Sequence, residues 1–287
     1  LIKVETHKVP ELKNRIRLQE YAVGIFQTIP TKSGIKKAIK KGLILVNDET
    51  TSTAKYIIGG EKIELYQSEN EEVFTRLQLD LEVLFEDDYL AIIYKPAGIL
   101  VSGNKFVTIA NALTQNLQKS KQQDAVKPQP IHRLDYPTSG LLLIGKTSST
   151  IIKLSALFKN KEISKTYFAI TIGLMNSEAI INSPIDEKES ITNYTILQTV
   201  KSERFGFLNL VKLSPKTGRK HQLRKHLLGI GNPILGDKEY FLEGKVLNGK
   251  GLYLHASILE FIHPFTKEKI YTSKELPKKF TKIFSIT

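Results

Sequence analysis

Pro130 to Lys146, PIHRLDYPTSGLLLIGK, passes from charged and turn-forming residues into a nearly unbroken apolar run. Leu141-Leu142-Leu143-Ile144 reads as a strand with both faces buried, because successive side chains of a strand alternate sides and all four are apolar. Ahead of it, Asp135-Tyr136-Pro137-Thr138-Ser139-Gly140 is turn chemistry, in which proline restricts φ and glycine reaches backbone angles closed to other residues. Arg133 and Asp135 therefore sit in a tight loop at the entrance to a core strand, with Pro137, Thr138 and Gly140 as its supports. A loop fastened in this way can hold a catalytic or binding side chain rigidly, although a structural Asp–Arg pair would use the same residues.

Around that loop lies a chain of 287 residues with 42 Lys and Arg, 29 Asp and Glu, and a net charge of +13. The length suits two domains, or one large domain with a small appendage. An excess of positive charge on an ordinarily hydrophobic chain favours polyanionic partners, first among them nucleic acid. The chain has no cysteine, which excludes disulfides, thiol nucleophiles and thiolate zinc sites. No apolar run approaches a membrane span and the first residues lack a secretory pattern, so a cytoplasmic setting with no membrane partner is expected.

Residues 1–14 read as a mixed lead-in. From Arg15, helical spacing of Leu18, Ala22, Ile25 and Phe26 predicts a helix closing before Pro30. SGIKKAIKK follows as a short helix with Ile35 and Ile39 on one face. Thr31 or Ser33 is its expected cap, and Gly42 its C-terminal stop. Lys36, Lys37, Lys40 and Lys41 lie on the outer faces, either as a solvated surface or as phosphate contacts that give affinity without reading sequence. Leu43–Val46, a turn at Asn47-Asp48, a turn at Gly59-Gly60 and a strand Lys62–Tyr66 complete a small α/β unit. The segment 15–66 resembles the αL RNA-binding domain named after a small-subunit ribosomal protein, through SGIKKAIKKGLILVN and GGEKIEL. It departs from that pattern at Gln19, where Asp is usual, and at Gly34, where Arg is usual.

Residues 67–79 are polar and acidic and read as a linker, leaving 80–287 as the main domain. There, strands are expected at 82–86, 90–94, 163–173, 180–184, 193–200, 205–213, 252–262, 269–272 and 280–286. Helices are expected at 109–117, at 148–161 with Ser148 or Ser149 as cap, and within 216–231. Lys119–Pro130 reads as an exposed loop. Strands dominate and helices come irregularly, which predicts an α+β fold on a mixed sheet rather than a βαβ repeat.

Other stretches could join Asp135. On a strand, Lys165 and Tyr167 would share a face, and Tyr167 could either pack or stack on a base. In TGRKHQLRKH, Arg219, His221, Gln222 and Arg224 form a basic run at the start of a helix, suited to phosphate contact. His221 and Arg224, three apart, would share a face with Leu227 or Leu228. Arg224, near leucine anchors, would need a carboxylate partner, with Asp135 or Asp237 available. His132, His221 and His255 have no metal-ligand spacing, so no metal is expected.

HRLDYPTSGLLLIGK, KTYFAI, TGRKHQLRKHLLGIGNPILGDKEY and LYLHA, in this order, resemble the pseudouridine synthase family that modifies large-subunit ribosomal RNA and transfer RNA. Gly145 stands where that family usually has Ala. The resemblance spans about Val83 to Tyr271 and implies a central mixed, mostly antiparallel sheet flanked by helices. It also implies isomerisation of uridine to pseudouridine without a cofactor: C1′–N1 breaks, the uracil turns while enclosed, and C1′ joins C5. On this resemblance Asp135 is the essential nucleophile, acting at C1′ or assisting glycal formation. Arg224 would fix its carboxylate by a bidentate contact, and Tyr167 would stack on the flipped uracil and serve the later proton step. Arg133 would fill the gap left in the RNA stack, and Leu227 and Leu252 would wall the pocket. The partner implied is structured RNA, ribosomal RNA favoured and transfer RNA open, with a monomer and no protein partner expected. A non-catalytic RNA-binding or assembly protein of the same fold is the alternative reading, and an Asp-dependent glycosylase a third.

Overall fold

The computed structural model describes residues 1–26, 29, 32–67 and 77–284. The chain divides into two units, Leu1–Arg76 and Leu77–Thr287. Pro30, the Thr31 cap, residues 68–76 of the expected linker 67–79 and the final residues 285–287 fall outside the described residues.

In the first unit the expected lead-in is a strand, β1 (Ile2–Lys8), with a mostly exposed alternating pattern. The long helix expected after Arg15 is instead a two-residue strand, β2 (Ile16–Arg17), and one helical turn, α1 (Leu18–Tyr21). α2 (Lys32–Lys40) follows, then β3 (Ile44–Val46), β4 (Glu49–Thr50), β5 (Tyr56–Ile57) and β6 (Lys62–Gln67). The sheet order is β1-β6-β3-β4, with β2 paired to β5. Because α2 starts at Lys32, Ser33 lies in its first turn and is not its cap. Ile35, Ala38 and Ile39 are buried, while Lys36, Lys37, Lys40 and Lys41 are all exposed. The helix stops at Gly42 (φ +67°), where Gly42 N–H reaches the Ile39 carbonyl (3.0 Å) and Leu43 N–H the Ala38 carbonyl (2.9 Å), the paired bonds of a Schellman ending. Asn47 and Asp48 both take positive φ (51° and 67°), as a tight β3–β4 hairpin requires.

The second unit is built on one ten-stranded sheet with helices packed against it. Its strands begin with β7 (Val83–Glu86), β8 (Leu90–Lys95), β9 (Ala125–Pro130), β10 (Ser139–Thr147) and β11 (Ser164–Ile172). They continue with β12 (Glu178–Asn182), β13 (Ile191–Ser202), β14 (Gly206–Pro215), β15 (Leu254–Ile262) and β16 (Lys269–Ser273). The order is β12-β13-β14-β11-β15-β10-β8-β7, with β16 on β15 and β9 on β10. Every pairing is antiparallel except β10 with β15, so the sheet is mixed and mostly antiparallel, as expected. The helices are α3 (Ile109–Asn116), α4 (Ser148–Lys159), α5 (Gln222–Gly229) and α6 (Lys278–Thr281).

All nine residues of β10 are buried. Leu142 and Ile144 pack into one core with α3, and Leu141 and Leu143 into another with Leu154 of α4. That is why the run carries no polar alternation. Gly140 (φ +127°) pairs with Lys95 on one side and Ala256 on the other, and a Cβ there would stand 2.6 Å from the Ala256 nitrogen. Only glycine lets the parallel β10–β15 pair close at that point. At Gly145, a Cβ would meet Ile151 Cγ1 at 2.6 Å and Ile131 Cδ1 at 2.9 Å, so two isoleucines already occupy the space of the family's usual methyl.

Three expectations fail here for identifiable reasons. The Lys119–Pro130 stretch read as a loop contains β9, whose prolines cannot donate to a ladder and so disguise it. α4 is capped by Thr147, whose hydroxyl accepts from Thr150 N–H at 3.1 Å, and not by Ser148 or Ser149. The last expected strand is replaced by α6, and Phe280 and Phe284, four apart, are fully buried as a helical turn places them.

Candidate active site

The segment from Ile131 to Thr138 leads from β9 into β10 and carries the Asp135 carboxylate. Its backbone is tied down from three directions. Thr138 N–H donates to the Asp135 carbonyl (3.0 Å), closing a turn through Tyr136 and Pro137, and Gly98 N–H donates to the Tyr136 carbonyl (2.8 Å). Lys95, the last residue of β8, is fully buried, and its ammonium donates to the carbonyls of Thr138 (2.7 Å), Pro96 (3.0 Å) and Tyr136 (3.4 Å). Burial pulls this lysine's pKa down to about 8, against the opposing pull of Asp135. The expected strand 90–94 stops one residue short of Lys95. A lysine closing an otherwise apolar strand was the available signal.

The opposite wall comes from α5 and the segment after it. Arg224, 4% exposed, forms a bidentate pair with the fully buried Asp237: Nε to Oδ2 at 2.7 Å and NH2 to Oδ1 at 2.8 Å. A third bond reaches Glu239 Oε2 (3.1 Å), and NH1 stands 3.6 Å from Asp135 Oδ2. Burial alone would lower the Arg224 pKa, but Asp237, Asp135 and Glu239 outweigh it and raise the value overall. The bidentate contact expected for Asp135 thus belongs to Asp237, and Arg224 faces Asp135 with its remaining nitrogen. Asp237 wins because its carboxylate is wholly enclosed and also accepts the N–H groups of Glu239 and Tyr240, both at 3.0 Å.

His221 lies just ahead of α5 in the left-handed region (φ 56°), so it does not share a helical face with Arg224. That turn sends Nε2 to 3.7 Å from Asp135 Oδ1, while Nδ1 lies 3.0 Å from the Tyr240 hydroxyl and 3.4 Å from Glu239 Oε1. Glu239 and Tyr240 were not anticipated as site residues, although both stand within the GDKEY run.

Tyr167, on β11, is half-buried, and burial together with the nearby Asp135 charge pushes its phenol above the ordinary value. It therefore presents a neutral hydroxyl at physiological pH. Lys165 does not share its surroundings. The β11–β15 register shifts between Thr166 and Tyr167, and Lys165 turns over the Phe158 ring (5.5 Å) while Tyr167 packs on the cores of α3 and α5. Arg133 and Arg219 are exposed. Gln222 is 4% exposed and uses both ends internally, accepting from Thr217 (2.7 Å) and Arg219 N–H (3.0 Å) and donating to Ile191 O and Thr192 Oγ1 (3.0 Å each). These bonds make it a clasp between β13 and α5. Leu227 and Leu252 are buried in the core against which Tyr167 packs.

Chemically, the arrangement is a carboxylate with 17% of its side-chain surface open, held on a rigid turn and flanked by a guanidinium, an imidazole and a neutral phenol. Such a group can act on an electron-poor carbon without first being activated.

Residues 89–228 match the family model described as RNA pseudouridylate synthase. Among curated proteins, the chain is similar to the ribosomal large subunit pseudouridine synthase D of Buchnera aphidicola, at 35% identity over 86% of this chain and 87% of the relative. It is also similar to the tRNA pseudouridine synthase C of Vibrio vulnificus, at 32% identity over 71% of this chain and 94% of that protein. Among solved structures it resembles human RNA pseudouridylate synthase domain containing 4, with a TM-score of 0.56 and 25% identity over 73% of this chain and 92% of the other.

Proposed function

The chain belongs to the RNA pseudouridylate synthase family, and on that premise we propose that it isomerises particular uridines of structured RNA to pseudouridine, with Asp135 acting at C1′. The reading is carried by one observation: a partly open carboxylate held between Arg224 at 3.6 Å and His221 at 3.7 Å on a turn braced by a buried lysine. The C1′–N1 bond breaks with its electron pair leaving on uracil, and the developing positive charge on the sugar is met by the Asp135 carboxylate. The enclosed uracil turns, C5 bonds to C1′, C5 loses its proton and N1 gains one, so composition is unchanged. Tyr167 stacks on the base as a neutral phenol. Arg133 enters the RNA stack in place of the extruded nucleotide, offsetting part of a flipping cost of about a few kcal/mol. Arg224 and its anchor Asp237 keep the carboxylate in place.

Ribosomal RNA is the favoured substrate because the similarity to the Buchnera protein covers 86% of this chain, against 71% for the tRNA-named relative. The first unit would add affinity through Lys36, Lys37, Lys40 and Lys41, which are exposed and form no ion pair among the described residues. Mapping of pseudouridines in total RNA with and without the gene tests this function. Loss of one or more ribosomal pseudouridines is expected. An unchanged map, or release of free uracil from RNA by the purified protein, would contradict it.

A further inference from the structure

A groove of about 560 Å³ runs between β9 and the segment that enters α3, and Arg133 of the Asp135 loop lines one end of it. Its volume falls in the range of roughly 300–1,000 Å³ typical of ligand clefts. One wall is β9, where Lys127 and Gln129, two apart, present exposed side chains to the same side and Pro128 and Pro130 leave no N–H between them. The other wall starts at Val101 and Ser102 and includes Asn111. The loop between them is closed at its base by the Leu100–Thr108 bridge, and Asn111 Nδ2 holds it by donating to the carbonyls of Phe106 (2.9 Å) and Lys105 (3.3 Å). On this anchored loop Phe106 is 52% exposed and Val107 48%. Lys127 and Arg133 are the charged residues of the lining, and no acidic residue is among the described ones there.

A single exposed phenylalanine on a loop is ordinary. Here it stands on a loop whose Phe106 and Lys105 carbonyls are held by Asn111, a residue of the groove's lining, and that cationic, acid-free groove shares Arg133 with the Asp135 loop. Arg133 and Asp135 are two residues apart, so no more than about 7 Å of chain separates them. The groove therefore begins at the loop that carries Asp135, within reach of the nucleotides next to a uridine placed there. A cationic track with an aromatic platform is how proteins hold unpaired nucleotides without reading their identity. We infer that this groove is a subsite for unpaired nucleotides flanking the target uridine, with a base stacked on Phe106 and a phosphate held by Lys127. The inference rests on the RNA-modifying reading of the Asp135 site. It makes local single-strandedness next to the target part of the specificity.

The test uses the full chain and a fluorescently labelled single-stranded oligouridylate decamer. Phe106→Ala should weaken decamer binding roughly tenfold, the size of one base–aromatic stack, and Phe106→Tyr should restore it. Lys127→Gln should lower the slope of log affinity against log salt by about 0.7. A decamer carrying 4-thiouridine should photocrosslink to the peptide containing Phe106. Wild-type affinity and salt slope in both variants, with crosslinks confined to other peptides, would overturn the inference. Turnover on total RNA is read separately. Phe106-dependent binding without pseudouridine formation would sink the reaction and keep the groove, whereas turnover with Phe106-independent binding would do the reverse.

Discussion

The two ends of the β8–β10 pair each hold a buried lysine, and they use it in opposite ways. At the far end Lys146, 2% exposed, meets the Glu86 carboxylate at 2.6 Å and the Asp87 carbonyl, beside a further pairing of Asp87 with His263 at 3.0 Å. Its charge is compensated on the spot. At the near end Lys95 donates only to carbonyls, and the nearest carboxylate to influence it is Asp135 across the loop. A buried charge with no direct counter-ion is costly, and burial lowers that lysine's pKa to about 8. The same strand pair therefore has one end built for stability and one end where stability is given up to hold a carboxylate in place.

The largest expected effect is at the partner wall. Asp237→Ala leaves the Arg224 guanidinium buried without its bidentate partner, and should cost about 3–5 kcal/mol in denaturant unfolding as well as activity. A loss under about 1 kcal/mol would mean that Glu239 and Asp135 suffice to hold Arg224. The strand ends themselves come next. Lys146→Met should cost about 2–3 kcal/mol of stability and leave turnover per folded molecule unchanged. Lys95→Met should do the converse. Removing an uncompensated charge offsets the missing hydrogen bonds, so stability should stay within about 1 kcal/mol, while loosening of the Asp135 loop lowers kcat roughly a hundredfold. If both variants lose stability and activity in proportion, the distinction between the two ends fails.

A smaller signature is the pH dependence. Lys95 has a folded pKa lowered to about 8, below the ordinary lysine value of about 10.4. Between those values the unfolded chain binds more protons than the folded one, so the Lys95 contribution to stability rises with pH across that window. The kcat of the wild type should fall above about pH 8 as the clasp loses its charge, and the Lys95→Met profile should lack that limb. The smallest effect per residue belongs to a third setting, the lysines of α2 and its C-terminal turn, which are exposed and free of ion pairs among the described residues. Changing Lys36, Lys37, Lys40 and Lys41 to Gln should reduce the salt slope of RNA binding by about 0.7–0.9 for each phosphate that is no longer neutralised, with little change in stability.

How legible each feature was in the sequence follows from the range of the interactions that create it. β10, α2 and the Asn47-Asp48 turn are local: their residue types dictate the backbone, and Asp135 in its Pro- and Gly-containing loop was visible for that reason. Lys95 was hidden because its role lies in carbonyls some 40 residues away, at Tyr136 and Thr138. His221 was read as helical because nothing in TGRKHQLR marks a non-glycine residue for positive φ, and only the fold shows that this turn points the imidazole at Asp135. The partner of Arg224 was narrowed to Asp135 or Asp237, and burial decided which takes the bidentate bonds. β9 was missed because its prolines suppress the ordinary strand signal, and α6 because an apolar run of its length suits either a strand or a helical turn.

The most direct measurement is single-turnover pseudouridine formation by Asp135→Asn on cellular RNA from a strain lacking the gene, with RNA affinity measured alongside. The substitution keeps size and removes the charge, so binding should stay within about threefold of wild type while turnover falls by more than about 10⁴, beyond the range of a general acid–base role alone. Wild-type turnover in Asp135→Asn would contradict the assignment of the bond chemistry to this carboxylate.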